Sequence, residues 1–317
     1  MAVAVYCISL AFFLPAFLSF LYRKFRLPKL KADLAKSFLR KDISDLNKPA
    51  IIAHRGGSSE APENTLAAFR TAKENGATGV EFDVDFTKDG RAVVIHDSTV
   101  DRTTDGSGPV SKFILEEIRK LDASAKHCLR DKFPKEKIPT LEEVVELCSS
   151  LELKMIIEIK KSTQALETAQ YLKNLFSSYQ LHDKALVCCY FPGVIYQVRK
   201  VDPNIVTALV WWRDSMSYII TGGKELFEID SSIKVAVLSF FDRIWESMIP
   251  WFLDFVGVPI LSCAKEHVCG DMLEMWNGQG VDVVTWTVNQ LKAKDFFMEC
   301  LDCPVITDCV RRDSVWN

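Results

Sequence analysis

Val80-Glu-Phe-Asp-Val-Asp-Phe86, Thr87-Lys-Asp-Gly90, Arg91 and Ala92-Val-Val-Ile-His96 form the stretch on which the reading of the fold turns. Two β-rich runs are parted by a polar turn ending in glycine, far too short for the crossover that joins parallel strands. The second run therefore folds back antiparallel on the first. With a two- or four-residue loop, Glu81 or Asp83 would lie opposite His96 on one face; a three-residue loop would turn His96 away. Further β-rich runs follow the same chain at Ile51–Arg55, Met155–Ile159, Ala185–Tyr190, Val206–Trp212, Pro259–Cys263, Val281–Thr287 and Val305–Thr307, alternating with helical patterns. Setting the hairpin's return arm aside leaves the eight parallel strands of an α/β barrel. Helix boundaries are signalled by Thr140-Leu-Glu-Glu143, a capping-box pattern, and by Asn75–Gly76, which closes the helix begun at Thr65.

In such a barrel the chemistry sits at the carboxyl ends of the strands. His54, Arg55, Glu81, Asp83, Glu158, Lys160, Trp286 and Asn289 all fall at or near those ends. Glu81 and Asp83 differ by two and share a strand face. Glu158 adds a third carboxylate from the next barrel strand. Three oxygen ligands with no paired Cys or His suit one divalent cation, Mg²⁺ or alternatively Ca²⁺, rather than Zn²⁺. The bland alternative is a charged strand face paired with its neighbours. Asp85 continues the face further out. His54 and His96 are candidates for acid and base on either side of a phosphate. Arg55 and Lys160 would neutralise charge on its oxygens.

The motifs His54-Arg-Gly56, Pro62-Glu-Asn-Thr65, Glu81-Phe-Asp83, His96–Asp97, Glu158-Ile-Lys160 and Trp286-Thr-Val-Asn289 occur in that order. Over residues 48–312 the chain resembles the glycerophosphodiester phosphodiesterase family, most closely its membrane-anchored animal branch. The resemblance implies a (β/α)8 barrel with the hairpin and a small insertion after the second barrel strand. It implies metal ligation by Glu81, Asp83 and Glu158, and a place for Glu63 in the site, directly on the metal or behind it. It also implies His54 and His96 as the catalytic pair, in an order left open. Trp286 either packs on glycerol carbons or is plain core, and Asn289 orients a neighbour. The substrate would be a glycerophosphodiester such as glycerophosphoinositol or glycerophospho-N-acylethanolamine, cut to glycerol 3-phosphate and an alcohol. A lysophospholipase D acting in the membrane is the alternative, and a non-catalytic membrane scaffold a third reading. Cys189-Tyr190 stands where relatives often carry Ser-Phe, which would alter the pocket wall. Ser98–Lys112 resembles the start of the family's insertion, expected as a lid. His127, His182 and His267 read as exposed or structural.

The rest of the sequence bounds the setting. A net charge of −3 disfavours nucleic acid as a partner. The ten cysteines are scattered, and Cys300-x-x-Cys303 has no second pair to make a zinc site. Met1–Tyr22 carries no charged side chain and as a helix would extend about 33 Å, close to the hydrocarbon thickness of a bilayer. Arg23, Lys24, Arg26, Lys29 and Lys31 follow at once, so the run reads as an uncleaved transmembrane helix in the plasma membrane or an endomembrane. The positive-inside rule would hold the barrel in the cytosol. The resemblance implies the luminal or outer side, and sidedness stays open. The chain thus divides into an anchor (1–22), a basic and charged linker (23–47), the barrel (48–312) and a tail (313–317). Lys234–Phe255 is rich in aromatics, but Asp242, Arg243, Glu246 and Asp254 interrupt it too often for a second span, so it reads as a barrel helix with an interfacial aromatic edge.

Overall fold

The structure is a computed structural model and describes residues 17, 19–30, 32–40, 48–160, 163–224, 226–229 and 231–311. Nine strands form one sheet: β1 Ile51–His54, β2 Gly79–Phe86, β3 Ala92–Val94, β4 Lys154–Ile159, β5 Ala185–Cys189, β6 Val206–Trp211, β7 Ile260–Ala264, β8 Asp282–Trp286 and β9 Val305–Thr307. Their order is β1-β9-β8-β7-β6-β5-β4-β2-β3, and an added β1–β2 pairing closes eight parallel strands into a barrel with β3 outside it. The helices are α1 Ala32–Leu39, α2 Leu66–Glu74, α3 Leu115–Ile118, α4 Leu141–Ser150, α5 Ala165–Tyr179, α6 Pro192–Val201, α7 Ser215–Thr221, α8 Ser232–Val256, α9 Gly270–Gly278 and α10 Leu291–Asp295. Both sequence signals for helix ends hold. Thr140 caps α4 reciprocally with Glu143, and α2 runs from a Thr65 cap to Asn75, with Gly76 at φ +86°.

The strands separate two cores by their alternation. Val80, Phe82 and Val84 face outward into the layer between barrel and helices, with Phe69 of α2 and Val145 of α4. Ile52, Ile156, Leu186, Val206 and Ile260 face inward and fill the lower barrel. Above this apolar layer the same inward positions become polar, at Glu81, Asp83 and Glu158.

Three sequence expectations are corrected. The hairpin turns on three residues: Thr87 N–H donates to Arg91 O at 3.0 Å, and Val84 pairs Val94. In that register Ile95, not His96, stands across from Asp83, where its N–H donates to Asp83 O at 2.9 Å. The linker is also partly structured. Ala35, Phe38 and Leu39 of α1 are buried beneath the inner core, an i, i+3, i+4 stripe hidden in a charged composition. Residues 26–30 are likewise tied down, since Leu27 N–H donates to Phe255 O at 2.9 Å and Arg199 reaches Pro28 O. The strand ends shift by a residue or two, as strand ends do.

The expected anchor, 1–22, lies almost entirely outside the described residues. Among the described residues no helix is long and apolar enough to cross a membrane. That includes α8, which is a helix of the barrel's outer layer with Leu238, Asp242, Ile249, Phe252, Leu253 and Val256 buried.

Candidate active site

The parallel register assembles the site. His54 pairs Glu81 across β1–β2, and Asp83 pairs Glu158 across β2–β4. Inward-facing residues at paired positions on neighbouring strands are neighbours at the mouth. Glu81, Asp83 and Glu158 consequently bring carboxylate oxygens within 4.8 Å of one another. Lys160 Nζ lies 2.8 Å from Asp83 Oδ1 and 2.5 Å from Glu158 Oε1.

The turn after β1 is shaped for close approach. Arg55 and Gly56 have φ +53° and +83°, and a Cβ on Gly56 would come within 2.7 Å of Ala68 Cβ on α2. The turn aims the Arg55 N–H at Glu81 Oε2, 3.1 Å away, and its guanidinium at Glu63 Oε1, also 3.1 Å. Each member of Pro62-Glu-Asn-Thr65 then has a task. Pro62 O accepts the Thr65 hydroxyl, Thr65 caps α2, Asn64 Nδ2 donates to Asp83 Oδ2 at 2.8 Å, and Glu63 binds Arg55 and Arg102. Glu63 is therefore a support for the cations and not a member of the carboxylate cluster.

Both imidazoles are held by an aspartate at Nδ1. His54 Nδ1 meets Asp308 Oδ1 at 2.6 Å, and His96 Nδ1 meets Asp97 Oδ1 at 2.6 Å. Each is left with Nε2 for proton exchange. His54 Nε2 lies 3.8 Å from Glu81 Oε2. Asn289 Nδ2 donates to Asp308 Oδ2 at 2.7 Å while its Oδ1 accepts the Asp308 N–H at 2.9 Å. Ser58 Oγ adds a third hold at 2.7 Å. His96 enters the cavity in spite of the hairpin register because β3 ends at Val94 and the chain bends at His96.

Charge is distributed unevenly over the cluster. Burial, reinforced by the charge of Asp83, pushes Glu81 up to about 8. Burial acts on Asp83 in the same sense, but Lys160, His96 and Arg55 outweigh it and hold that carboxyl well below the usual range. Burial would lower His54, yet its hydrogen bond to Asp308 and the charge of Glu81 carry it upward. Asp97 is held low by its hydrogen bond to His96 and by Arg102. Glu81 Oε1 is buried with no hydrogen-bond partner among the described residues. An unsatisfied buried carboxylate oxygen beside two more carboxylates is a donor set that fits a hard divalent cation.

These groups open into a cavity of about 550 Å³. His54, Arg55, Glu81, His96, Glu158 and Lys160 line one side; Tyr190, Trp212, Tyr218 and Trp286 form an aromatic wall on the other. Three readings from sequence are corrected at this wall. Cys188, not Cys189, faces the cavity, because 188 and 190 share a strand face; Cys189 Sγ instead donates to Ile159 O. His267, read as exposed or structural, lines the cavity and lies 5.4 Å from Trp211, ring to ring. No residue of 98–112 does so. That segment packs Val100 and Val110 with Val93 and Ile118 into a small core of its own, and reaches the site with Arg102, which bonds Asp97 and Glu63.

Asp308, Asp97, Asn64 and Arg102 were not singled out from sequence as site residues. Asp308 carried a signal nonetheless, since it directly follows the last barrel strand at its carboxyl end.

A closed α/β barrel with carboxylates, imidazoles and cationic side chains gathered at its mouth is the framework of a barrel enzyme. The model of the Glycerophosphoryl diester phosphodiesterase family matches residues 54–312, and the chain belongs to that family. It is 40% identical over 271 residues to mouse (Mus musculus) glycerophosphodiester phosphodiesterase 1, covering 84% of this chain and 80% of that one. The human (Homo sapiens) protein of the same name is 41% identical over 265 residues, covering 83% and 78%. Among solved structures, an Oleispira antarctica phosphodiesterase in complex with its product sn-glycerol-3-phosphate superposes with a TM-score of 0.66 at 25% identity. That match covers 82% of this chain and 93% of the other.

Proposed function

We propose that the chain hydrolyses glycerophosphodiesters, such as glycerophosphoinositol or glycerophospho-N-acylethanolamine, to glycerol 3-phosphate and an alcohol. The observation that carries the reading is the convergence of Glu81, Asp83 and Glu158 beside two aspartate-held histidines in one cavity. The Oleispira relative's product points the same way.

Glu81, Asp83 and Glu158 would hold one Mg²⁺ or Ca²⁺, and the ion would supply positive charge against the phosphoryl oxygens. Arg55 and Lys160 bring fixed positive charge to the same side of the cavity. One imidazole Nε2 takes the proton of the attacking hydroxyl, and the other returns a proton to the departing alcohol oxygen. If the attacker is the substrate's own 2-hydroxyl, a new O–P bond closes a cyclic phosphate as the head-group O–P bond breaks. Water then opens the ring with the two imidazoles in exchanged roles. Trp286 and its aromatic neighbours offer an apolar face for glycerol carbons and head group.

In this reading residues 1–22 anchor the enzyme in a membrane, with the apolar run and the following basic cluster as support. The deciding assay supplies a water-soluble glycerophosphodiester and a lysophospholipid side by side. Glycerol 3-phosphate from the first at the higher kcat/KM is expected. Preferred release of lysophosphatidic acid from the second would replace the reading with a lysophospholipase D.

A further inference from the structure

Helix α8 is apolar on two opposite faces. One stripe, Leu238, Ile249, Phe252, Leu253 and Val256, is buried against the barrel. The other runs Ile233, Val237, Phe240, Ile244, Met248 and Trp251, all exposed, with Ile233 at 78% and Phe240 at 60%. Phe241 beside them is exposed too. A helix hydrophobic all round is ordinarily covered all round, and soluble monomers seldom leave so long a contiguous apolar row in water.

Charge says what covers it. The helix's acidic residues are turned away or neutralised: Asp242 is buried on Ser217, Glu246 is half-buried 3.8 Å from Arg213, and Asp254 holds Arg26 and Lys29 at 2.8 Å each. Among its exposed positions the only charged side chains are Lys234 and Arg243, both cationic. A second copy meeting this patch through a twofold axis would face one cationic helix surface with another, and among the described residues α8 exposes no acid to pair them. A surface of anionic lipid headgroups complements both the apolar row and the cations.

Continuity points to the same partner. The helical residues 19–25 lie on the end of this row: the Tyr22 ring is 5.7 Å from Trp251 and 5.5 Å from Phe255, and its hydroxyl bonds Asp254. The chain before Tyr22 is the uncharged apolar run that begins at Met1. Barrel helices return antiparallel to their strands, so α8 leads from the mouth back to this point over about 37 Å. At the mouth end, the Ser217–Asp242 hydrogen bonds fasten α8 to α7, which carries Tyr218 into the cavity wall.

We propose that α8 lies in the headgroup region of an anionic bilayer, so that the barrel rests on its side with the α7 rim of the mouth against the lipid. Photocrosslinking of the full chain tests this, in phosphatidylcholine vesicles with and without phosphatidylserine. Phe240→p-benzoylphenylalanine, and independently Ile244→p-benzoylphenylalanine, should give lipid adducts, and Leu166→p-benzoylphenylalanine, at an exposed position on α5, should not. Combining Lys234→Glu and Arg243→Glu with the probe should cut adduct yield in phosphatidylserine vesicles about fivefold or more. The rate on a water-soluble glycerophosphodiester, which these two residues do not touch, should stay at the parent level. A crosslinked dimer, absence of lipid adducts at both α8 positions, or a yield indifferent to the charge reversals would overturn the proposal.

Discussion

His54 and Asp308 are 254 positions apart in the chain and 2.6 Å apart in the fold. Because β1 and β9 are neighbours in the barrel, the first and last strands supply the two halves of one imidazole–carboxylate pair. Asp308→Asn should keep the fold and lose ~10²-fold or more in kcat, since the amide no longer fixes the proton on Nδ1. Asn289→Ala should lose less, because Ser58 still holds the carboxylate. Steady-state kinetics on a soluble substrate would check both, and equal losses would deny the graded support.

The same carboxyl sets a pH dependence. Burial would raise Asp308, but the hydrogen bond from His54, the charge of His54 and the donors Asn289 and Ser58 hold it well below the ordinary range. A group depressed in the folded state binds its proton more readily when unfolded. Its stabilisation is therefore complete above the ordinary aspartate value of about 4 and drains away as pH falls below it. Asp308→Asn should unfold at lower urea than the parent at pH 7, with the gap starting to narrow below about pH 5 and continuing to close as pH falls toward the depressed folded-state value. A gap that widened on acidification would reverse the sign of the argument.

His54→Ala and His96→Ala should each cost ~10²–10⁴-fold in rate, the usual contribution of a positioned acid or base. If both serve one proton-transfer sequence, the double variant should be little slower than the slower single. Multiplicative losses would assign them to separate tasks.

Chelation should abolish activity, and Mg²⁺ or Ca²⁺ should restore it without any need for Zn²⁺. Glu81→Gln, Asp83→Asn and Glu158→Gln should each abolish turnover and also the rise in melting temperature that Mg²⁺ gives the parent. Glu81→Gln carries a separate forecast. Since burial and Asp83 push this carboxyl to about 8, its amide should melt no lower than the metal-free parent. A clear drop would mean that the carboxylate is held by protein contacts alone.

Arg102 forks onto Glu63 at 2.7 and 2.8 Å and onto Asp97 at 2.7 and 3.1 Å. Lysine carries the charge without the fork. Arg102→Lys should lower kcat about tenfold through slackened Asp97 and His96, with little change in KM. A parent-like rate would show that His96 is oriented without the insertion.

What the sequence revealed follows from the range over which each fact is encoded. Glu81 and Asp83 share a face by a period-two rule, and the Thr87–Gly90 turn rules out a crossover, so the barrel and its carboxylates were legible. The rest was set at longer range or by parity. Asp308 matters only because the barrel closes. His96 reaches the cavity through a bend after Val94 that no strand pattern encodes. Cys188 and His267 line the wall because of alternation and of packing on Trp211, neither visible when residues are taken in adjacent pairs. The three-residue turn has Gly90 at φ +75°, a common hairpin form, yet loop length alone did not separate it from its neighbours.

The position of α1 changes where this protein can be said to begin. The family match opens at His54, but Ala35, Phe38 and Leu39 form the stopper under Ile52, Ile156, Leu186, Val206 and Ile260. A chain cut at the family boundary would lose most of β1 as well, and one cut between α1 and β1 would be an uncorked barrel, its apolar floor open to water although every proposed catalytic residue was intact. The heritable unit of chemistry and the self-sufficient unit of folding therefore start at different residues. A shortened enzyme without the proposed anchor should be cut ahead of Tyr22, whose hydroxyl and ring already hold α8.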